Sequence, residues 1–130
     1  TGAVKGLLAG ESISIAVFTA KIPGQKLSLA PDAIGPIIPI LLAESGSLMI
    51  AKGSYLAHAE NVTLSAKFSG FKGILAKKGI FLLEASGTGT VFLTAAGEIR
   101  TVDLAPEEKF VVDNDFVVAF EHTVKFELVT

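Results

Sequence analysis

The feature that most constrains the fold of this chain is that its sequence is repeated. Residues in the first half return in the second half at an offset of 62, and a shorter segment, residues 5–9, returns as residues 72–76 at an offset of 67. Duplication of a module of roughly 65 residues is typical of a repeat architecture. We therefore predict one domain over residues 1–130 made of two repeats, about 1–67 and 68–130. The matched pairs at the offset of 62 are Gly35/Gly97, Leu42/Leu104, Ala43/Ala105, Leu48/Phe110, Ile50/Val112, Ala57/Ala119, Val62/Val124 and Leu64/Phe126.

The spacing of the turn residues predicts an all-β fold. Gly, Pro, Asp and Asn clusters recur every eight to twelve residues, and short β-branched or aromatic runs lie between them, a pattern that favours a β-sandwich or barrel. The apolar parity of residues 116–128 predicts a long final strand. Residues 109–112, joined to it through Asp113-Asn114-Asp115, predict a hairpin. Only residues 5–9 and 72–76 are expected to be helical, as one or two very short helices.

The composition favours association and excludes several classes of site. Half of the 130 residues are hydrophobic and the mean hydropathy is +0.59, so strands must be buried on both faces or against another subunit. Cysteine is absent, which excludes disulfides and thiolate sites. A net charge of −2 argues against a nucleic-acid partner. No transmembrane segment is predicted, and we expect a homo-oligomer with a cytoplasmic location.

No catalytic or metal-binding constellation can be recognised in the sequence. His122 lies on the apolar parity of the last strand, and its repeat partner is Glu60, so we expect it to be buried and without a catalytic role. Nothing resembles a nucleophile elbow. Asp113 and Asp115 lack the glycine and the distant glutamate of a calcium loop, and we interpret them as a turn. We predict no enzymatic activity and no cofactor or metal.

One contrast between the copies indicates an interface. The segment of residues 98–104 carries four polar side chains, whereas the same places in the first copy are apolar. A strand that is polar in one copy and apolar in its twin is expected to be covered by another repeat or another subunit. The predicted interface residues are Pro36, Ile38, Pro39 and Leu41.

Several motifs resemble those of a known family. The chain is similar to the "altered inheritance of mitochondria" (mitochondrial biogenesis) family, a domain of unknown function. The resemblance implies a fold like that of the tryptophan RNA-binding attenuation protein, usually in about three modules, so a further N-terminal repeat is either missing or never existed in a short member. It supplies no functional residues. The motifs are Lys5 to Ser12, Leu29-Ala30-Pro31 with Gly35, Gly53 to Ala57, Gly87 to Leu93, Val112-Asp113 and Val118-Ala119-Phe120.

Two functions follow as hypotheses. The first is a non-enzymatic, self-associating β-repeat scaffold or interaction protein with an unknown protein partner, which the apolar content and the uncovered first-copy strand favour. The alternative, from the fold analogy, is a ring that binds single-stranded RNA, which needs basic and stacking residues on one surface. A salt-dependent shift with mixed RNA oligonucleotides would distinguish the two.

Overall fold

The computed structural model describes residues 14–43, 46–67 and 81–129, and within them the chain is all-β. Seven strands form two antiparallel sheets, two 3-10 turns connect strands, and no α-helix occurs in this part of the chain. The predicted fold class is thus confirmed at this level, while the expected helices at residues 5–9 and 72–76 lie outside the described residues. The strands are β1 (Ile37–Leu42), β2 (Ser47–Ala51), β3 (Tyr55–His58), β4 (Val62–Lys67), β5 (Leu82–Gly87), β6 (Gly89–Thr94) and β7 (Ala119–Glu121), and the 3-10 turns are Lys52–Ser54 and Asn114–Phe116.

The two sheets differ in size and share one core. The smaller sheet has the order β1-β6-β3 and the larger one β4-β5-β2-β7. Side chains alternate along each strand, so each sheet has an inner face of Val, Leu, Ile and Ala. Ile50, Ala85 and Val91 are completely buried where these faces meet, and burial of each large aliphatic side chain contributes roughly 1.5–3 kcal/mol. The buried core residues are Leu42, Leu48, Ile50, Val62, Leu64, Leu83, Ala85, Val91 and Leu93.

A second, smaller apolar cluster covers the outer face of the larger sheet. Leu82 is buried there, and Met49, Phe120, Phe126 and Leu128 pack against it. The rings of Phe120 and Phe126 stack with their centroids 5.6 Å apart, an arrangement that adds to simple area burial. The C-terminal residues therefore cover an outer sheet surface without belonging to a strand.

The predicted long final strand is wrong in extent. β7 ends at Glu121, and a turn follows in which the Val124 amide donates to the Glu121 carbonyl at 3.0 Å. The alternation holds in only part of the segment: Phe126 and Leu128 pack against Leu82 while Lys125 and Glu127 are exposed and paired at 2.7 Å, but Phe116 and Val124 are exposed. A turn can interrupt the hydrogen bonding between strands while the apolar side chains beyond it still alternate with polar ones.

The predicted hairpin at residues 109–116 is also wrong, although the predicted turn is present. The Asp113 side chain accepts a hydrogen bond from the Asp115 amide at 3.0 Å, and the Phe116 amide donates to the Asp113 carbonyl at 3.0 Å. This Asx geometry favours a tight local turn, here the second 3-10 turn. Residues 109–112 belong to no strand.

The two 3-10 turns occupy the same place in the predicted repeat. Lys52–Ser54 and Asn114–Phe116 are separated by the offset of 62. The residues that flank them also match, with φ and ψ of −62° and 132° at Ala51 against −64° and 128° at Asp113. Local backbone geometry is therefore the same at both positions, although the surrounding strands differ.

Candidate functional site

The predicted interface segment divides between the two faces of the smaller sheet. Ile38 shares its parity with Ile40 and Leu42, which line the core, whereas Pro39 and Leu41 lie on the opposite, outer face. Leu41 is 78% exposed. Pro36 precedes the strand, and its carbonyl accepts a hydrogen bond from the Thr94 hydroxyl at 3.0 Å. The structure thus places two of the four predicted residues on one outward surface and turns Ile38 away from it.

The outer face of the smaller sheet carries further apolar residues that the sequence pattern did not single out. Pro39 lies opposite Phe92, and Phe92 also lies opposite Ala57. Directly opposed residues of antiparallel strands share a face, so Pro39, Phe92 and Ala57 form a row across all three strands. Ile37 and Leu41 extend this row along β1. We call these five residues the outer patch; the alternation of β6 could have revealed Phe92.

The outer patch is apolar, with polar positions only at its flanks. Thr90 lies opposite Leu41, and Thr94 opposite Ile37. Charged side chains do not occur at the outer positions of β1 and β6. An uncharged, uncovered apolar sheet face is the kind of surface that marks an interaction site.

β3 holds a half-buried Tyr–His pair at the other side of the same sheet. The register shifts between Tyr55 and Ala57, and this bulge brings Tyr55 and His58 to one side of the strand. The Tyr55 hydroxyl lies 2.7 Å from His58 Nδ1. Burial raises the pKa of the Tyr55 hydroxyl and lowers the pKa of the His58 imidazole, so both groups are held in their neutral forms.

This pair closes a polar gap at the edge of the core. Tyr55 packs against the core residues, and its hydroxyl needs a partner when it is removed from water. His58 supplies that partner. The contact therefore satisfies the half-buried Tyr55 hydroxyl.

His122 is exposed, which corrects the expectation that it is buried. Its amide still donates to the Ser47 carbonyl at 3.1 Å beside the end of β7, but its side chain is exposed. Its Nδ1 accepts a hydrogen bond from the Ser47 amide at 3.3 Å, while the Ser47 hydroxyl donates to Glu84 at 2.8 Å. A nucleophilic serine must instead donate to the histidine. Serine, histidine and carboxylate meet here, but they are not arranged for catalysis.

Metal ligands are not clustered in the part of the chain that the structure describes. No group of three or more His, Asp or Glu side chains converges there. Asp113 and Asp115 are engaged in their own turn, where the Asn114 amide donates to the Asp115 carboxylate at 3.0 Å. Within the same residues, no helix is long and apolar enough to span a bilayer.

These observations define an all-β protein with two sheets, whose most distinctive described surface is an apolar sheet face. The family described as Mitochondrial biogenesis AIM24 matches residues 1–130, and the chain belongs to that family, which confirms the resemblance noted in its motifs. An uncharacterized protein of Streptococcus pyogenes serotype M6 is 26% identical over 130 residues, covering 95% of this chain and 50% of that protein. The chain therefore spans about half the length of this curated relative. No solved structure matches it.

Proposed function

We propose that this chain is a non-enzymatic, self-associating β-repeat protein that serves as a scaffold or interaction module. The observation that carries the proposal is the outer patch, where Leu41 is 78% exposed on an uncharged sheet face. A hydrophobic surface of this kind gains free energy when a second surface removes it from water.

The contrast between the two sheets supports this proposal. The larger sheet buries its outer apolar residues under Phe126 and Leu128. On the outer patch, the β1 residues Ile37, Pro39 and Leu41 are exposed, while Phe92 and Ala57 are half-buried. Because the C-terminal residues cover the outer face of the larger sheet, the exposed β1 side of the outer patch is the better candidate for a partner surface.

The proposal includes the internal duplication and the ring-forming type of fold that the family resemblance implies. Support comes from the matching 3-10 turns at the offset of 62. It also comes from Gly35 and Gly97, which are repeat partners in sequence and neighbours in space, where the Gly97 amide donates to the Ile34 carbonyl at 3.0 Å. The cytoplasmic location and the absence of enzymatic activity stay predictions.

The test is the molar mass of the wild-type chain and of a variant that charges the outer patch. Ile37→Arg with Leu41→Asp places two charges on the outer face of β1, an edge strand, and leaves the core-facing Ile38 intact. The matched control is Thr63→Asp with Ser65→Arg, on the outer positions of β4, the edge strand of the larger sheet. Light scattering on a sizing column gives the mass of each.

We expect the wild type and the control variant to have the molar mass of an oligomer. The variant with charges on the outer patch should have a lower molar mass, closer to that of a monomer. A wild type that is monomeric at all accessible concentrations would overturn self-association itself. If both variants remain as oligomeric as the wild type, the outer patch is the wrong surface and association has to be sought elsewhere on the molecule.

A further inference from the structure

Two strands that are equivalent in the predicted repeat have different neighbours. β3 contains Ala57 and pairs with β6, whereas β7 contains Ala119 and pairs with β2. Among the described strands, each lies at one edge of its sheet. If the two copies have the same structure, β3 and β7 should each have two neighbours. One neighbour is β2 or its repeat equivalent, and the other is β6 or its repeat equivalent. β3 then lacks the first neighbour, and β7 lacks the second.

The sequence contains both missing neighbours, and in the structure both are unpaired. Shifted by the offset of 62, β2 corresponds to residues 109–113 and β6 to residues 27–32. Neither segment belongs to a strand, and Leu29, Phe110, Val111 and Val112 are all exposed. Val111 is 94% exposed. Three consecutive exposed apolar residues are a defect in an isolated domain unless they meet a partner.

We infer that these two segments complete the sheets of a second copy of this chain. Residues 109–113 of one chain add to the free edge of β3 in its neighbour, and residues 27–32 add to the free edge of β7. Main-chain hydrogen bonds provide the affinity in such strand addition, and the side chains provide the specificity. The inference rests on the proposed self-association and names the elements that carry it.

The observed pairings fix the register of both contacts. Ile50 lies opposite Ala119 and Met49 opposite Phe120; shifted by one repeat, these pairs become Val112 opposite Ala57 and Val111 opposite His58. In the same way, the pairing of Ala57 with Phe92 and of His58 with Val91 becomes Ala119 opposite Ala30 and Phe120 opposite Leu29. Three of the four predicted pairs join two apolar residues, the fourth places Val111 opposite His58, and both contacts are antiparallel.

The contact is head-to-tail. One surface of each chain comes from its N-terminal flank and the other from its C-terminal flank, so the two patches are different and each chain has one of both kinds. Such heterologous contacts generate rings when the rotation closes and open assemblies when it does not. A second copy is the occupant we infer because each chain carries both unpaired segments and both of the described edges that they match in register.

Cross-linking tests the register directly because the chain has no cysteine of its own. Ala57→Cys and Val112→Cys are made in separate chains, mixed and oxidised, and the products are separated without reductant. Directly opposed strand residues have the Cα separation that a disulfide requires. In the control, Val102→Cys is used in place of Val112→Cys. The two valines are similarly exposed, Val112 at 48% and Val102 at 49%, but only Val112 is predicted to face β3. A second pair, Ala119→Cys with Ala30→Cys, tests the other edge.

We expect mixed dimers from both predicted pairs and several-fold fewer from the control pair. Circular dichroism of each variant verifies that the β structure is kept. If the wild type is oligomeric but the predicted pairs cross-link no better than the control, this inference fails while the proposed self-association stands. If the wild type is monomeric, both fail. If the cysteines cross-link only when both are placed in one chain, the segments pair within the chain and the second copy is excluded.

Discussion

Residues 37–58 and residues 99–120 occupy the same places in the predicted repeat. In the first copy, two strands precede the 3-10 turn, whereas in the second copy the residues before the equivalent turn form no strand. β1 pairs with β6 and β2 pairs with β5, and both partners lie later in the chain. Residues 99–104 and 109–113 have no such partner in the described structure and remain unpaired. The 3-10 turn forms in both. A turn is determined by local residues, whereas a strand requires a neighbour.

The largest expected effect comes from the pair Ile50 and Val112. Ile50→Ala should lower the free energy of unfolding by about 2–5 kcal/mol, because Ile50 is completely buried and its removal leaves a cavity. Val112→Ala should change it by less than about 0.5 kcal/mol in the monomer, because Val112 is exposed. Urea denaturation of both variants measures the difference. Equal losses would contradict the description of residues 109–113 as unpaired.

Alanine substitutions at the repeat-related glycines Gly35 and Gly97 should destabilise the protein for different reasons. A Cβ at Gly35 would overlap the carbonyl oxygen of Ala95, so Gly35→Ala should cost about 1–3 kcal/mol through overpacking. At Gly97 the space is open, but φ is +85°, so Gly97→Ala should cost about 1–2 kcal/mol through backbone strain. Gly97→Asn separates the two mechanisms, because asparagine tolerates that φ and should recover part of the loss. No recovery would argue against strain.

The repeat-related alanines should respond unequally to a larger side chain. Both Ala57 and Ala119 are half-buried, but their side chains lie on different faces. Ala119 packs against the core, and Ala119→Leu should destabilise by about 1–3 kcal/mol. Ala57 lies on the outer patch, and Ala57→Leu should stay within about 0.5 kcal/mol. Thermal unfolding at low protein concentration measures the stability of both variants. A larger loss for Ala57→Leu than for Ala119→Leu would show that the inner and outer faces have been misassigned.

The smallest effect is the pH dependence contributed by His58. Its pKa is lowered in the folded chain because burial disfavours the imidazolium, so below the unfolded value of about 6.5 the unfolded state binds more protons. The stability that neutral His58 contributes is therefore fully present above that pH and is lost as the pH falls through the folded pKa. His58→Phe, which introduces the residue of the second copy, should flatten the stability profile between about pH 7 and pH 5. If the His58→Phe variant kept the full slope of the wild-type profile, the pH dependence would belong to another group.

The all-β class and the family could be predicted because turn residues, alternation and motifs are local signals. The parity of Phe120, Phe126 and Leu128 also predicted the correct face. The absence of a strand at residues 109–112 could not be predicted, because a similar apolar pattern is paired in the first copy, where it forms β2, and unpaired in the second.

The candidate site was predicted only in outline for a similar reason. Ile38 turns inward with Ile40 and Leu42, which the alternation of β1 already indicates but a comparison of polarity between the copies does not. His122 is exposed although its amide still donates to the Ser47 carbonyl at 3.1 Å, and the end of β7 at Glu121 is not visible in the apolar pattern. Phe92 enters the outer patch only through its pairing with Pro39 and Ala57.

The proline in β1 has a consequence for the solubility of any assembly. β1 is an edge strand whose described pairing is with β6 alone, and Pro39 lacks the amide hydrogen that a further strand would use. Edges of this kind resist the unlimited stacking of strands that leads to fibrils. Pro39 therefore disfavours strand addition at the edge of β1 and leaves the remaining edge strands, β3, β4 and β7, as the places where an assembly could grow by strand addition.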